Sequence, residues 1–120
     1  MNSHRSPVGP DAVLDLVEDG ADLIVPLANG EPVTVIDALE ANATRLHGVR
    51  IHQMHALHDR PYLHGVIREH LQHVSYFLSP VTRPAFHERG CELVPNHFSE
   101  VPRLLRETTR CSARTTARRP

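Results

Sequence analysis

The hydrophobic and polar positions form their most regular pattern between residues 22 and 57. An apolar run from Leu23 to Leu27 predicts a buried strand, and Asn29-Gly30 followed by Pro32 predicts a corner that leads into a helix. Gly48 ends that helix, and Val49 to Leu57 predicts a second strand. Between the two strands, apolar residues recur at helical spacing: Val35, Ile36, Leu39, Ala43 and Leu46. A strand–helix–strand order requires a parallel pair with a right-handed crossover.

The same reasoning extends the pattern in both directions. Before this unit, Pro10 opens a short helix with one apolar face (Val13, Leu16 and Val17), and Gly20 ends it. After it we predict a third strand (Val74–Leu78), a short helix with Pro84 in its first turn (Ser79–Gly90) and a fourth strand (Cys91–Val94). Pro102 then opens a last helix. The sequence therefore predicts an α/β fold with a mostly parallel sheet and flanking helices.

The ends of the chain lack this pattern. Residues 1–9 are polar, and residues 108–120 are rich in Arg and have no apolar periodicity. We predict a flexible N-terminus (1–9), one domain (10–107) and a disordered tail (108–120). With 40% hydrophobic residues, 4% aromatic residues and no Trp, the core is expected to consist of Leu, Val, Ile and Ala.

Charge and cysteine content narrow the function classes. Nine of the 13 Arg and all 14 acidic residues lie within residues 1–109, so the globular part is acidic and a nucleic-acid partner is not expected. No apolar run reaches the length of a membrane span, and the first ten residues lack the apolar core of a signal peptide. The two cysteines form no disulfide framework, which favours the cytoplasm.

The ten His residues invite a metal-site hypothesis. His52, His55 and His58 are spaced by three, but on a strand His55 points away from the other two, and on a helix they drift by about 120°. We therefore favour scattered surface or half-buried His, and no metal site is assigned. Cys91 opens a predicted strand, so a packed structural Cys is favoured over a nucleophile.

Loops at the carboxyl ends of parallel strands are the natural place for a ligand. Asn29 and Gly30 follow the first strand and precede a helix N-terminus, where an anion can bind. With a single Gly, and with Glu31 beside it, a structural turn and a ligand loop are equally good interpretations.

The order strand, NGEP corner, helix, and then the sequence from Thr82 onward, resembles a known family. Thr82-Arg83, Gly90 and the run from Val94 to Pro102 (VPNHFSEVP) are similar to the N-terminal domain of the acetyl-CoA hydrolase/transferase family. The 4-hydroxybutyrate CoA-transferase-like proteins are nearest in pattern, and the similarity extends over about residues 8–112.

This resemblance implies a CoA-transferase-type fold built from two similar halves. It implies transfer of CoA between an acyl-CoA and a small carboxylate, or thioester hydrolysis, in acetyl-CoA and acetate or 4-hydroxybutyrate metabolism. A glutamate would be the nucleophile, the CoA thioester would be a substrate, and no covalently bound cofactor or metal would be needed. Asn29, Gly30, Asn96 and His97 would then border the substrate.

The resemblance ends near Cys111, whereas the family continues into a second half that carries the nucleophile. We therefore assign no catalytic residue in this chain and expect it to be inactive alone. Its partners would be the missing C-terminal half or a homo-oligomer. A His-rich metal-binding module, and a non-catalytic domain that docks a separate second half, are the alternatives.

Overall fold

A computed structural model describes residues 6–108. The helices are α1 (Val33–Ala41), α2 (Thr82–His87) and α3 (Val101–Thr108). The strands are β1 (Asp22–Ile24), β2 (Val49–Gln53), β3 (Leu71–Ser75) and β4 (Glu92–Leu93). Short 3₁₀ helices occupy Pro10–Leu16, Ala28–Gly30, Ala43–Arg45, Pro61–His64 and Phe98–Glu100.

The four strands form one sheet in the order β1-β2-β3-β4, and every neighbouring pair is parallel. The predicted α/β fold with a mostly parallel sheet is therefore confirmed. The strand–helix–strand order is also as predicted, because β1 pairs with β2 in parallel and α1 connects them. Its bounds differ: β1 ends at Ile24 rather than Leu27, and α1 ends at Ala41, well before Gly48. Helix α1 begins directly after Pro32, and Pro84 lies in the first turn of α2, as expected.

The hydrophobic core lies on one face of the sheet. Val49 and Ile51 of β2 and Leu71 of β3 project there and pack against Ile36 and Leu39 of α1. The expected aliphatic core is correct in the main, but this face also buries larger polar side chains: Tyr62, His73 and Gln53 are all fully enclosed.

Several predicted boundaries were wrong. Strand β2 ends at Gln53 rather than Leu57, and β3 covers Leu71–Ser75 rather than 74–78. The reason is strand pairing, since β2 and β3 pair in register from Val49↔Leu71 to Gln53↔Ser75. The polar His73 lies in the middle of this paired segment. Apolar content alone does not reveal such a register.

The first helix also differs from its prediction. It is a 3₁₀ helix that ends at Leu16, and its buried residue is Leu14, while Leu16 is 83% exposed. A 3₁₀ helix has three residues per turn rather than 3.6, so the residue that reaches the core changes. The predicted tail begins at Thr108, which is the last residue of α3; the rest of the tail and residues 1–5 lie outside the described part of the chain.

Gly90 is required by a close backbone approach. A Cβ at this position would lie 2.5 Å from the carbonyl carbon of His64, too close for any side chain. We expect Gly90→Ala to lower the free energy of unfolding by about 2 kcal/mol, as overpacking in a core does. Gly9→Ala is the matched control, because nothing lies within 4 Å of its Cβ, and it should change stability by less than about 0.5 kcal/mol. Equal effects of the two variants in urea denaturation would contradict the close approach.

Candidate functional site

A groove of about 370 Å³ opens at the carboxyl ends of β1 and β2. One wall is the chain that leaves β1, residues 24–27, and the opposite wall carries Phe98, Val101, Pro102 and Leu105. The walls are apolar, and several of their side chains face solvent: Ile24 is 60% exposed and Phe98 is 73% exposed. Exposed apolar side chains grouped in this way are typical of a surface that binds a ligand or a partner.

Helix α3 creates the groove by crossing back over the sheet. The chain leaves β4 at the far edge, yet the end of α3 reaches the strands near β1. The Tyr76 hydroxyl lies 2.8 Å from Thr108 Oγ1, and Arg50 Nη2 donates to the Thr108 carbonyl over 2.7 Å. These contacts anchor α3, and with it the second wall, on the face of the sheet opposite the core.

A buried chain of polar side chains lies at the base of the groove. His52 Nε2 is 2.9 Å from Asp22 Oδ1, and His52 Nδ1 is 2.9 Å from the Tyr76 hydroxyl. Arg50 Nε donates to the same Asp22 oxygen over 2.8 Å. His52 and Tyr76 both line the groove while staying almost wholly buried. The groove thus has apolar walls and a polar base, a combination common in small-molecule sites.

The site residues proposed from the sequence lie beside this groove rather than in it. Asn29 and Gly30 are exposed in the turn Ala28–Gly30, where Ala28 rather than Gly30 adopts the left-handed conformation, with φ of 50°. Asn96 uses its amide to bind the carbonyls of Tyr76 and Val94, each over 2.8 Å. His97 Nδ1 is 2.8 Å from the hydroxyl of Ser99, and Ser99 lines the groove.

The two predicted loops leave opposite edges of the sheet. The turn that holds Asn29 follows β1, and Asn96 follows β4, so β2 and β3 separate the ends of the two strands by three spacings, about 14 Å. Both loops adjoin the groove, because Leu27, just before the first loop, and Phe98, just after the second loop, line the groove. The role of the four residues in binding stays a prediction.

Glu31, which follows the Asn29-Gly30 corner, is turned inward and buried. Its carboxylate accepts from Gln53 Nε2 over 3.1 Å and lies 2.5 Å from His58 Nδ1. Gln53 Nε2 also donates to the carbonyl of Pro26 over 3.0 Å. This network joins the corner after β1 to the end of β2, so Glu31 holds the loop in place rather than facing a ligand.

The histidines do not form a metal centre in the described part of the chain. Between residues 6 and 108, no three His, Cys, Asp or Glu side chains converge closely enough to bind an ion. The expectation of surface or half-buried His was wrong for His52 and His73, which are fully buried on opposite faces of the sheet. Burial lowers the pKa of His73 from 6.5 to about 3, so its ring is neutral at physiological pH.

The polar residues that form the base of the groove stand out in the sequence, although hydrophobic periodicity does not group them. His52 lies on β2, Asp22 opens the preceding strand and Tyr76 follows the third strand. Parallel pairing places Asp22 beside Arg50, which is next to His52 in β2. The spacing of the histidines gives no indication of these partners of His52, because the strand register brings them together.

Comparison with known proteins supports the resemblance noted in the sequence. The chain is 39% identical over 102 residues to a succinyl-CoA:cyclohexane-1-carboxylate CoA transferase of Geobacter metallireducens. It is 28% identical over 100 residues to a 4-hydroxybutyrate coenzyme A transferase of Clostridium kluyveri. The chain is therefore similar to one part of these CoA transferases. These matches cover 85% and 83% of the chain, but the chain spans only about a fifth of the length of each relative, 22% and 23%.

The fold has a counterpart among solved structures. RipA from Yersinia pestis matches with a TM-score of 0.65 at 22% sequence identity, over 83% of this chain and 26% of that protein. This likeness supports the α/β fold. The chain matches no family model.

A search of the helices for a membrane span was negative: between residues 6 and 108 none is long and apolar enough to cross a bilayer.

Stability should depend on pH through His73. The unfolded chain binds a proton at this ring below about pH 6.5, whereas the folded chain does not until about pH 3, so acid favours unfolding. We expect the free energy of unfolding to fall by about 1.4 kcal/mol per pH unit from this group below pH 6. His73→Gln should remove that part of the slope in denaturant titrations between pH 7 and 4.5. A matched His87→Gln change, at an exposed residue of α2, should leave the slope as it was; an equal slope in all three chains would contradict the buried neutral ring.

Cys91 should be chemically inert in the folded chain. It is 4% exposed, its thiol lies 3.8 Å from the carbonyl of Thr82, and burial raises its pKa. In a Cys111→Ser background, a thiol reagent should react with Cys91 at least about 100-fold more slowly without denaturant than in 6 M urea. A rapid reaction of the folded chain would restore the nucleophile hypothesis.

Proposed function

We propose that this chain is the N-terminal part of an acyl-CoA:carboxylate CoA transferase or acetyl-CoA hydrolase, and that it is inactive alone. The observation that carries the proposal is the apolar groove at the carboxyl ends of β1 and β2, in a chain whose relatives are CoA transferases. The groove would form one wall of the active site. The nucleophilic glutamate would belong to the part of the relatives that this chain does not match.

The substrates would be an acyl-CoA and a small carboxylate. The relatives are named for succinyl-CoA with cyclohexane-1-carboxylate and for 4-hydroxybutyrate, and our expectation from the sequence is acetate or 4-hydroxybutyrate. The walls formed by Ile24, Leu27 and Phe98 would contact the apolar portion of the acyl group. Asn29, Gly30, Asn96 and His97, which border the groove, would supply polar contacts at its rim. The reaction would take place in the cytoplasm, where Cys91 stays reduced.

A chimera tests the contribution of this chain. The matched 102 residues of the Geobacter metallireducens transferase would be replaced by the corresponding residues of this chain. We expect the chimera to transfer CoA between an acyl-CoA and a carboxylate. Phe98→Asp in the chimera should raise KM for the carboxylate at least tenfold, because it places a charge in the apolar wall. Val66→Asp is the matched control, since Val66 is 73% exposed and lies outside the groove. A folded chimera without activity would contradict the proposal.

The chain alone provides the complementary test. Incubated with acetyl-CoA and acetate or 4-hydroxybutyrate, it should show no CoA exchange and no thioester hydrolysis above the buffer rate. Robust turnover would show that the proposed second half is not required.

A second function is supported by the exposed side chains at the same edge of the sheet. Ile24 and Phe98 in the groove, together with Phe77 after β3, are each more than half exposed. A non-catalytic domain that docks a separately encoded second half would cover such a surface. Co-expression of this chain with the remainder of a relative, followed by size-exclusion chromatography, distinguishes the two: a stable complex without catalysis favours docking alone.

A further inference from the structure

The hydrogen bonds among the polar side chains at the base of the groove indicate which atom carries each proton. Thr108 Oγ1 is 2.7 Å from the carbonyl oxygen of Leu104, one turn earlier in α3. A carbonyl only accepts, so the single hydroxyl proton of Thr108 is donated to Leu104. Thr108 Oγ1 must therefore accept the hydrogen bond that joins it to Tyr76 over 2.8 Å.

Tyr76 likewise has one hydroxyl proton, and it is donated to Thr108. The contact of 2.9 Å between the Tyr76 oxygen and His52 Nδ1 then requires the ring nitrogen to be the donor. His52 therefore carries a proton on Nδ1.

The other ring nitrogen faces a carboxylate. His52 Nε2 lies 2.9 Å from Asp22 Oδ1, and the Arg50 guanidinium donates to the same oxygen over 2.8 Å. An oxygen shared by an Arg is ionised and only accepts, so Nε2 must be a donor as well. Both nitrogens of His52 then carry protons, which makes the ring a cation.

We propose that His52 is a buried imidazolium that positions helix α3, and thereby the second wall of the groove, through Tyr76 and Thr108. The charged or titratable groups that face it include Asp22 of β1, Arg50 of its own strand and Tyr76 after β3. His73 lies on the opposite face of the sheet, and from α3 the network is reached by Thr108. The fully buried Asp22 carboxylate offsets the charge of the His52 ring, and the second cation on the same oxygen, Arg50, keeps 23% of its side chain exposed to solvent.

Loss of the His52 proton would weaken this connection. With Nε2–H still bound to Asp22, the neutral ring offers Nδ1 as an acceptor to Tyr76. The Tyr76 proton can then reach His52 or Thr108, but not both. Since Val101, Pro102 and Leu105 of α3 line the groove, the position of that wall depends on one proton on one ring. This inference concerns the chain itself and does not depend on CoA transfer.

Nitrogen-15 NMR of the full chain tests the protonation state directly. At pH 6.5 to 7, both ring nitrogens of His52 should have the chemical shifts of protonated nitrogen. His73 is the internal reference, because its ring is neutral in the same sample. One unprotonated nitrogen in His52 would overturn the proposal, whether its proton were absent or had moved to Asp22.

Hydrogen exchange tests the positioning role. Tyr76→Phe removes the hydroxyl that joins His52 to Thr108, and amides 105–108 of α3 should exchange about tenfold faster, as expected for one lost hydrogen bond. Tyr62→Phe is the matched control, because its hydroxyl also contacts a buried His, at 3.3 Å from His73 Nδ1, on the other face of the sheet. It should leave α3 unchanged.

A second variant and a pH series guard against a general loss of stability. Thr108→Val interrupts the same connection at its far end and should raise α3 exchange as Tyr76→Phe does, while the amide of Ile51 in β2 stays protected. Raising the pH through the His52 titration should have the same effect after correction for intrinsic exchange. Unchanged α3 exchange in both variants would overturn the positioning role.

Discussion

Strand β2 is the constraint on which the rest of the structure depends. It pairs in parallel with β1 on one side and with β3 on the other, and both ladders are in fixed register. Because side chains alternate along a strand, Val49 and Ile51 enter the core under α1, whereas Arg50 and His52 face α3. One short strand thus supplies the centre of the hydrophobic core and the polar base of the groove. A shift of one residue in its register would exchange the two sets.

The two buried histidines show how neighbours decide the chemistry of identical side chains. His73 lies among Tyr62 and aliphatic residues and is neutral because desolvation disfavours the charged ring. His52 lies on the other face beside Asp22 and Arg50, and the directions of its hydrogen bonds require two ring protons. The strands that carry the two rings are direct neighbours, so the protonation state of each ring depends on the face of the sheet on which it lies.

The groove is the feature that we connect with the CoA transferases that the chain resembles. It opens at the carboxyl edge of a parallel sheet, where ligands of α/β proteins bind, and its walls come from segments far apart in the chain, residues 24–27 and 98–105. Its exposed Ile24 and Phe98 leave apolar surface available to a substrate or to the remainder of such an enzyme. In the proposed arrangement this wall binds the substrate and the nucleophile lies elsewhere, which accords with a chain that spans only about a fifth of the length of those relatives.

The sequence by itself determined the parallel α/β fold, the start of α1 after Pro32 and the burial of Cys91, because hydrophobic period, proline and local turn chemistry act over a few residues. It also carried the resemblance to CoA transferases, in the run from Val94 to Pro102. The tertiary structure alone decided which loops meet at the groove, that Leu14 rather than Leu16 is buried, and that His52 joins Asp22 to Tyr76. The burial of Leu14 follows from the 3₁₀ period of the first helix. The groove and the contacts of His52 depend on strand register and on the return of α3 across the sheet. These are contacts between residues 24 to 58 positions apart, which no local pattern specifies.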